Sequence, residues 1–155
     1  MALLYAKHGA NVIIASRTMP KLQAVVDEAN SRQLNGTITP ITADLSNNNN
    51  SQALVAQALK HFNGRLDSLV LNHISPFFEL VHASTPADLE RVLNVNLASY
   101  VFLTKHALPS LELSQGAIVV VSSVAGKVGI PYCAAYSAAK VSKGASAWIR
   151  AVNPH

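Results

Sequence analysis

Apolar residues recur along the chain in short runs, the first and the last of them rich in β-branched residues, that alternate with stretches of helical spacing. The runs predict four buried strands, over residues 11–16, 37–42, 66–71 and 117–122. The predicted helices lie at 1–10, at 19–30, at 51–62, from 85 with a break near 96 to about 108, and at 134–150. Because strands and helices alternate, we expect an α/β fold with a doubly wound parallel sheet, as one domain over residues 1–155.

Turn and cap residues mark the ends of several predicted elements. Pro20 lies in the first turn of the second helix, and Pro86 takes the first position of the fourth, because the start of a helix tolerates proline. Thr85, just before Pro86, is the expected N-cap residue. Gly36 is expected to close a turn, and Gly64 to end the third helix as a C-cap. These residues support the element boundaries independently of the apolar pattern.

Composition narrows the class of protein. Half of the residues are hydrophobic and 13% are charged, against roughly 25% in ordinary domains, and few charges are typical of parallel sheets buried on both faces. The formal net charge of +4 is small and scattered, which argues against a nucleic-acid partner. No apolar run approaches the ~18 residues of a membrane span, and no signal peptide is visible.

The cysteine and the histidines carry little chemistry by themselves. One cysteine, Cys133, cannot form an intrachain disulfide, and we expect a small packed thiol there rather than a nucleophile. The six histidines are scattered, without the spacing of metal ligands. The sequence therefore predicts no metal site.

Tyr136 and Lys140 are the strongest chemical signal. They stand four residues apart on a predicted helix, so their side chains share one face. A phenol with the ordinary pKa of about 10 is a poor proton carrier near neutral pH, but a nearby ammonium favours its charged form. Such a pair can exchange a proton with an alcohol or a carbonyl. Alone, the spacing more often belongs to an amphipathic helix with a packed tyrosine and a solvated lysine.

Ser123 adds a second chemical group. It follows the strand predicted at 117–122, and ligands of open α/β sheets bind beyond the carboxyl ends of strands. A hydroxyl there can hydrogen-bond a substrate oxygen and stabilise developing charge. The alternative is that Ser122 and Ser123 are cap or turn residues, which suits Ser122 in particular.

These segments resemble the catalytic region of the short-chain dehydrogenase/reductase family. Residues 119–129 and 134–140 carry the likeness, and the narrower pattern is that of the 11β-hydroxysteroid dehydrogenase group. Leu-Asn-His-Ile at 71–74 stands where most of the family has Asn-Ala-Gly, and residues 95–101 are similar to the segment with the family's catalytic asparagine. The resemblance covers nearly all of the chain as far as Lys140 and implies a Rossmann-like fold.

The resemblance implies a role for each matching residue. Tyr136 would be the general acid/base, and Lys140 would favour its phenolate and hold the nicotinamide ribose hydroxyls. Ser123 would orient the substrate oxygen. Asn96 would hold a water that links Lys140 to solvent; alternatively, it interrupts the helix by hydrogen-bonding its own backbone, and both can hold together. Asn72 would lie near the cofactor and stabilise the central sheet.

Cofactor choice depends on the residues after the first strand of this chain. A dinucleotide fold that binds NAD carries an acidic residue there, whereas an arginine accommodates the 2′-phosphate of NADP. Here the two residues are Ser16 and Arg17, which favours NADP(H), unless Arg17 is merely an exposed residue at the strand end. The other residues expected to bind the cofactor are Asp44, Leu45, Asn72, His73, Ile74, Tyr136 and Lys140.

One expected motif is absent from the sequence. The family carries a turn of the form Thr-Gly-x-x-x-Gly-x-Gly whose backbone N–H groups hold the cofactor phosphates, and no such pattern occurs here. We therefore expect an incomplete sheet that lacks the family's first and last strands. The strand at 11–16 would then have no partner on the side facing 66–71, and the strand at 117–122 would be an exposed apolar edge.

Two classes of function follow. The first is an NADP(H)-dependent oxidoreductase that interconverts a hydroxyl and a ketone on a steroid-like or other lipophilic substrate, with retinoids or fatty carbonyls as the variant. The second is a catalytically inactive fragment, or an interaction partner of full-length subunits. The resemblance also implies a homodimer for the full-length form, through helices around 95–108 and 134–150, and a location in the endoplasmic reticulum.

Overall fold

The computed structural model describes the backbone of residues 1–146 and the side chains of residues 1–142. The chain divides into two compact units, of which the first is Met1–Asp44 and the second begins at Leu45. The sequence predicted one domain over the whole chain. The predicted helix at 134–150 extends past Ser146 into residues that lie outside the described part.

The first unit is a βαβ arrangement preceded by a short helix. Its elements are α1 (Ala2–Lys7), β1 (Val12–Ser16), α2 (Met19–Ser31) and β2 (Ile38–Thr42). The strands are parallel, from the Val12 and Ile38 pair to the Ser16 and Thr42 pair. Ala6, Ala29 and Ile38 form the buried core of this unit, and Pro20 lies in the first turn of α2 as predicted.

Gly36 lies in the turn before β2, as predicted, and the close approach of neighbouring backbone requires glycine there. A Cβ atom at this position would lie 2.0 Å from the carbonyl oxygen of Ala10, a backbone atom. The Gly36 N–H also donates to the Ala6 carbonyl at 2.8 Å. Glycine therefore allows the chain to pass close to α1 before it enters β2.

The second unit contains the remaining described elements. They are α3 (Asn49–His61), β3 (Ser68–Leu71), a 3₁₀ turn (Val81–Ala83), α4 (Pro86–Leu93), a π-helical turn (Asn94–Ala98), α5 (Ser99–Ser114), β4 (Ala117–Val120), a second 3₁₀ turn (Val124–Gly126) and α6 (Ala134–Ser146). Strands β3 and β4 are parallel. Within residues 1–146, no helix has both the length and the apolar character that a membrane crossing needs.

Helix α5 supplies most of the core of this unit. Tyr100, Leu103, Ala107 and Leu111 recur at helical spacing and pack with Leu71 of β3 and Val55 of α3. Each large apolar side chain buried in this way contributes roughly 1.5–3 kcal/mol. Leu69 of β3 and Ile118 and Val120 of β4 also pack against this cluster, so α5 covers one face of the strand pair.

The predicted end of this helix near residue 108 is wrong, because α5 continues through Pro109 to Ser114. Tertiary contacts support the last turns: the Ser110 hydroxyl donates to the Gly64 carbonyl and the Ser114 hydroxyl to the Leu66 carbonyl, both at 2.6 Å. These contacts, together with the burial of Leu111, offset the backbone hydrogen bond that proline cannot make.

Of two predicted helix caps, the N-cap at Thr85 is confirmed, and the C-cap at Gly64 is two residues too late. The Thr85 hydroxyl accepts from the Asp88 N–H at 3.2 Å, and the Asp88 carboxylate accepts from the Thr85 N–H at 3.3 Å, which is a capping box. The C-cap residue of α3 is Phe62; Gly64, with φ of +84°, follows two residues later and donates its N–H to the Leu59 carbonyl at 2.7 Å, which closes the turn after the helix.

The described strands form two separate two-stranded sheets, β1 with β2 and β3 with β4. This agrees with the expectation that the strand at 11–16 lacks a partner on its other side. Strand β4 ends at Val120, earlier than predicted, because its partner β3 ends at Leu71; the last ladder bond runs from the Val121 N–H to the Leu71 carbonyl at 2.9 Å. Val119 is 39% exposed, as expected for an uncovered edge.

Candidate active site

The break predicted near Asn96 is a π-helical turn between α4 and α5. Asn96 is fully buried, and its side-chain amide pairs with the backbone N–H and the backbone C=O of Ser75, in the loop after β3. Its Oδ1 accepts from the Ser75 N–H at 3.0 Å, and its Nδ2 donates to the Ser75 carbonyl at 2.8 Å. The interpretation in which Asn96 hydrogen-bonds its own backbone is therefore wrong. The side chain instead joins the helix break to the loop after β3.

His73 is fixed by the same part of α5. Its Nε2 lies 2.7 Å from the Ser99 hydroxyl, whose proton is donated to the Val95 carbonyl at 2.7 Å. A hydroxyl has one proton, so the His73 Nε2 must be the donor in this pair. The Tyr100 hydroxyl donates to the His73 carbonyl at 2.6 Å, and the two rings lie 4.4 Å apart.

Tyr100 is a permanent donor in this network. Burial raises the pKa of its phenol well above the ordinary value, and the neighbouring Tyr136 raises the pKa further. The phenol therefore stays protonated across the physiological range. Its proton keeps the His73 carbonyl, and hence the loop after β3, in one orientation.

Tyr136 and Lys140 lie one turn apart on α6, as predicted. Lys140 is 2% exposed, and its Nζ donates to the Val121 carbonyl at 3.3 Å. The same Nζ lies 5.4 Å from the centre of the Tyr136 ring, within the range of a cation–π contact. The amphipathic alternative, which requires a solvated lysine, is therefore wrong for this helix.

The burial of Lys140 is chemically informative. Removing a charged group from water costs several kcal/mol unless partners compensate, and a carbonyl and an aromatic face compensate only in part. Within the described part of the chain, no carboxylate lies within 4 Å of its ammonium. A buried ammonium that has no carboxylate partner and lies beside a phenol is typical of functional sites rather than of packed cores.

Ser123 has the geometry of a turn residue. Its Oγ accepts from the Ala125 N–H at 3.2 Å and caps the 3₁₀ turn that follows β4. One lone pair is used in this way, which leaves the proton and the second lone pair for another partner. No hydrogen bond joins Ser123 to Tyr136 among the described side chains, so its role toward a substrate stays a prediction.

The residues expected at the adenine end of the cofactor lie mainly in the first unit. Ser16 ends β1, and its carbonyl accepts from the Ala43 N–H at 2.9 Å. Arg17 follows with an exposed side chain that forms no ion pair with any described residue. Asp44 is also exposed, whereas Leu45 packs against the core of the second unit.

Asn72 and Ile74 are exposed in the loop that leaves β3. Asn72 makes no side-chain hydrogen bond to another described residue, so the expected stabilisation of the sheet by this side chain is not seen in residues 1–146. The physical reason is the incomplete sheet, in which β3 is paired with β4 alone among the described strands.

Sequence reasoning missed three contributors to the site. Phe78 packs its ring 6.2 Å from that of Tyr136, and the Ser122 hydroxyl donates to the Lys140 carbonyl at 3.2 Å. Gly126 lies directly against the Lys140 peptide. Of these three residues, Gly126 alone could have been identified from the sequence, since a glycine inside a tight loop can mark a close approach of two backbone segments. Cys133 is buried, as the packed-thiol prediction expected.

A profile of short chain dehydrogenases matches residues 1–151 of the sequence. The chain belongs to the short chain dehydrogenase family. The fold is accordingly an incomplete Rossmann-like α/β fold, and the resemblance inferred from residues 71–74, 119–129 and 134–140 is confirmed.

Curated relatives of this short chain dehydrogenase carry the name hydroxysteroid 11-beta-dehydrogenase 1-like protein. The one from Macaca fascicularis is 40% identical over 141 residues, which cover 90% of this chain and 48% of the relative. The human one is 39% identical over 141 residues, covering 90% of this chain and 44% of the relative. The chain thus spans about half the length of the curated relatives it matches.

Solved structures with this fold include a metagenomic short-chain oxidoreductase in complex with NADP. Its TM-score is 0.84 at 29% identity, with 94% of this chain and 66% of that chain covered. The NADH-dependent reductase A1-R′ in complex with NAD has a TM-score of 0.85 at 23% identity, with 94% and 62% covered. Structures of this fold therefore hold both nicotinamide cofactors.

Proposed function

We propose that this short chain dehydrogenase is an NADP(H)-dependent oxidoreductase that interconverts a hydroxyl and a ketone on a steroid-like or other lipophilic substrate. The observation that carries the proposal is the buried Lys140, whose ammonium faces the Tyr136 ring on α6. Tyr136 would accept a proton from an alcohol and return it to a carbonyl, and the neighbouring ammonium would stabilise the charge that develops during this transfer.

The other residues of the site have defined parts in this proposal. The nicotinamide, when bound, supplies or accepts the hydride. Lys140 would hold the ribose hydroxyls with its ammonium, which lies beside the Tyr136 ring. Ser123 donates its unused proton to the substrate oxygen, since its Oγ accepts only one hydrogen bond within the chain. Asn96 keeps the loop after β3 in place through Ser75 and holds the water that links Lys140 to solvent.

Arg17 supports NADP(H) over NAD(H). Its guanidinium is exposed at the carboxyl end of β1 and makes no ion pair with a described side chain, so it is available to a 2′-phosphate. Ser16 in front of it cannot repel that phosphate as a carboxylate would.

The surroundings of Tyr136 support a lipophilic substrate. Phe78, which is 66% exposed, lies beside the Tyr136 ring, and the loop between β4 and α6 exposes further apolar side chains, namely Val124, Val128, Ile130 and Tyr132. Exposed apolar side chains that cluster near polar chemistry are typical of binding surfaces. By resemblance, we further propose that the full-length protein is a homodimer of the endoplasmic reticulum.

The test is NADPH binding followed by turnover. Titrating the purified chain with NADPH and with NADH by calorimetry should give binding that is tighter for NADPH, and a lipophilic ketone should then be reduced with loss of NADPH absorbance. Replacing Tyr136 with Phe should abolish turnover while leaving NADPH affinity within a few-fold. Retained turnover in Tyr136→Phe, or binding of neither cofactor by folded protein, would refute the proposal.

A second candidate is a catalytically inactive chain that associates with full-length subunits. The observation that favours it is the separation of the described strands into two parallel pairs, which leaves β3 and β1 each with one partner in residues 1–146. Mixing the folded chain with a full-length relative and measuring mass by light scattering distinguishes the two. A stable mixed assembly without NADPH binding supports this candidate, and NADPH turnover by the chain alone excludes it.

A further inference from the structure

Lys140 is held at three points by one short segment, residues 121–126, which we call the clamp segment. The Val121 carbonyl accepts from the Lys140 Nζ at 3.3 Å. The Ser122 hydroxyl donates to the Lys140 carbonyl at 3.2 Å. Gly126 packs on the same peptide unit, with no room for a side chain. The clamp segment thus contacts both the ammonium and the backbone of Lys140.

The third contact requires glycine for space and not for conformation. A Cβ atom at Gly126 would lie 2.7 Å from the Lys140 carbonyl oxygen and 2.8 Å from its carbonyl carbon. Both are backbone atoms of a helix and cannot rotate away. Gly126 is not among the described glycines with positive φ, so its backbone conformation is open to alanine. An alanine there must push the turn and α6 apart.

We propose that Ser122 and Gly126 are positioning residues that set the distance between α6 and the end of β4, and so hold the Lys140 ammonium against Tyr136. This inference rests on the proposed function, in which that ammonium supports proton transfer by Tyr136. A separation of a few tenths of an ångström removes the Val121 contact, because 3.3 Å is already near the limit of a hydrogen bond. The ammonium then turns toward water.

The chain offers a matched control for the steric step. Gly129 lies three residues further along the same loop, also has no positive φ, and a Cβ there would meet nothing within 4 Å. Gly126→Ala and Gly129→Ala therefore make the same chemical change in one loop, with a clash only in the first. Ser122→Ala removes the hydrogen bond without adding atoms, and Ser122→Thr keeps the hydroxyl.

The experiment measures amine labelling of Lys140 in the folded 155-residue chain by mass spectrometry, with alkylation of the buried Cys133 as an internal monitor of packing. We expect Lys140 to react roughly ten-fold faster in Gly126→Ala and Ser122→Ala, as loss of about one hydrogen bond predicts. Gly129→Ala and Ser122→Thr should match the wild type, and Cys133 should stay protected in all five proteins.

Unchanged protection of Lys140 in Ser122→Ala and Gly126→Ala would overturn the inference. An equal increase in the labelling rates of Cys133 and Lys140 in Ser122→Ala would also overturn it, because that result means general loosening of α6. Turnover is measured separately, and the same two variants should lower kcat about ten-fold with KM nearly unchanged. A wild type without turnover refutes the proposed function alone, since the labelling comparison does not depend on activity.

Discussion

Replacing Asn96 with alanine tests the link between the helix break and the loop after β3. The variant loses both amide hydrogen bonds to Ser75, at 3.0 and 2.8 Å. Each is worth about 0.5–1.5 kcal/mol net, so the free energy of unfolding should fall by about 1–3 kcal/mol. That is a large share of the roughly 5–15 kcal/mol that stabilises a typical domain.

The assay is urea unfolding followed by circular dichroism. With a slope of about 1–3 kcal/mol per molar urea, the midpoint should fall by about 1 M. Asn94 is the matched control, because it occupies the same π-helical turn and its side chain makes no hydrogen bond with a described residue. Asn94→Ala should lower the free energy of unfolding by less than about 0.5 kcal/mol. Equal losses in the two variants would refute the assigned role of the Ser75 contacts.

Three further predictions concern other parts of the chain. The pKa of Tyr100 is raised in the folded state, so the protonated phenol contributes its full stabilisation below the unfolded pKa of about 10. This contribution is lost as the pH rises above that value. Urea midpoints measured from pH 8 to 11 should therefore fall more steeply for the wild type than for Tyr100→Phe. Arg17→Ala should weaken NADPH binding by roughly 10–100-fold and leave NADH unaffected, as measured by calorimetry, whereas Lys21→Ala should change neither. Thr85→Ala should cost about 0.5–2 kcal/mol in urea unfolding, but Thr18→Ala, at an N-cap without a side-chain hydrogen bond, should cost less; equal losses would count against the capping box.

Local sequence patterns predicted much of the fold. Short runs rich in β-branched or other apolar residues predicted the four described strands, because strands of a buried parallel sheet are mostly apolar. Thr85 and Gly64 predicted helix ends to within two residues, since caps are satisfied within a few residues of the chain. The i, i+4 spacing placed Tyr136 and Lys140 on one face for the same reason: it depends only on helical geometry.

Predictions that depended on a distant partner were less accurate. The sequence placed the end of the fourth strand at Ser122, but β4 ends where β3 ends. It placed the end of the long helix before Pro109, but side-chain bonds to the Gly64 and Leu66 carbonyls hold another turn. In both cases the deciding contact joins segments far apart in the chain, which no local pattern contains.

The sequence by itself determined which residues are the candidates for the chemistry, because Tyr136, Lys140 and Ser123 have side chains whose reactivity is intrinsic and whose spacing is local. Only the tertiary structure decided their environment. In the folded chain Lys140 is buried beside the Tyr136 ring, the Ser123 hydroxyl caps a 3₁₀ turn, and the Asn96 amide is hydrogen-bonded to Ser75. Burial and hydrogen-bond partners depend on which distant segments pack together, and that packing is a property of the whole fold.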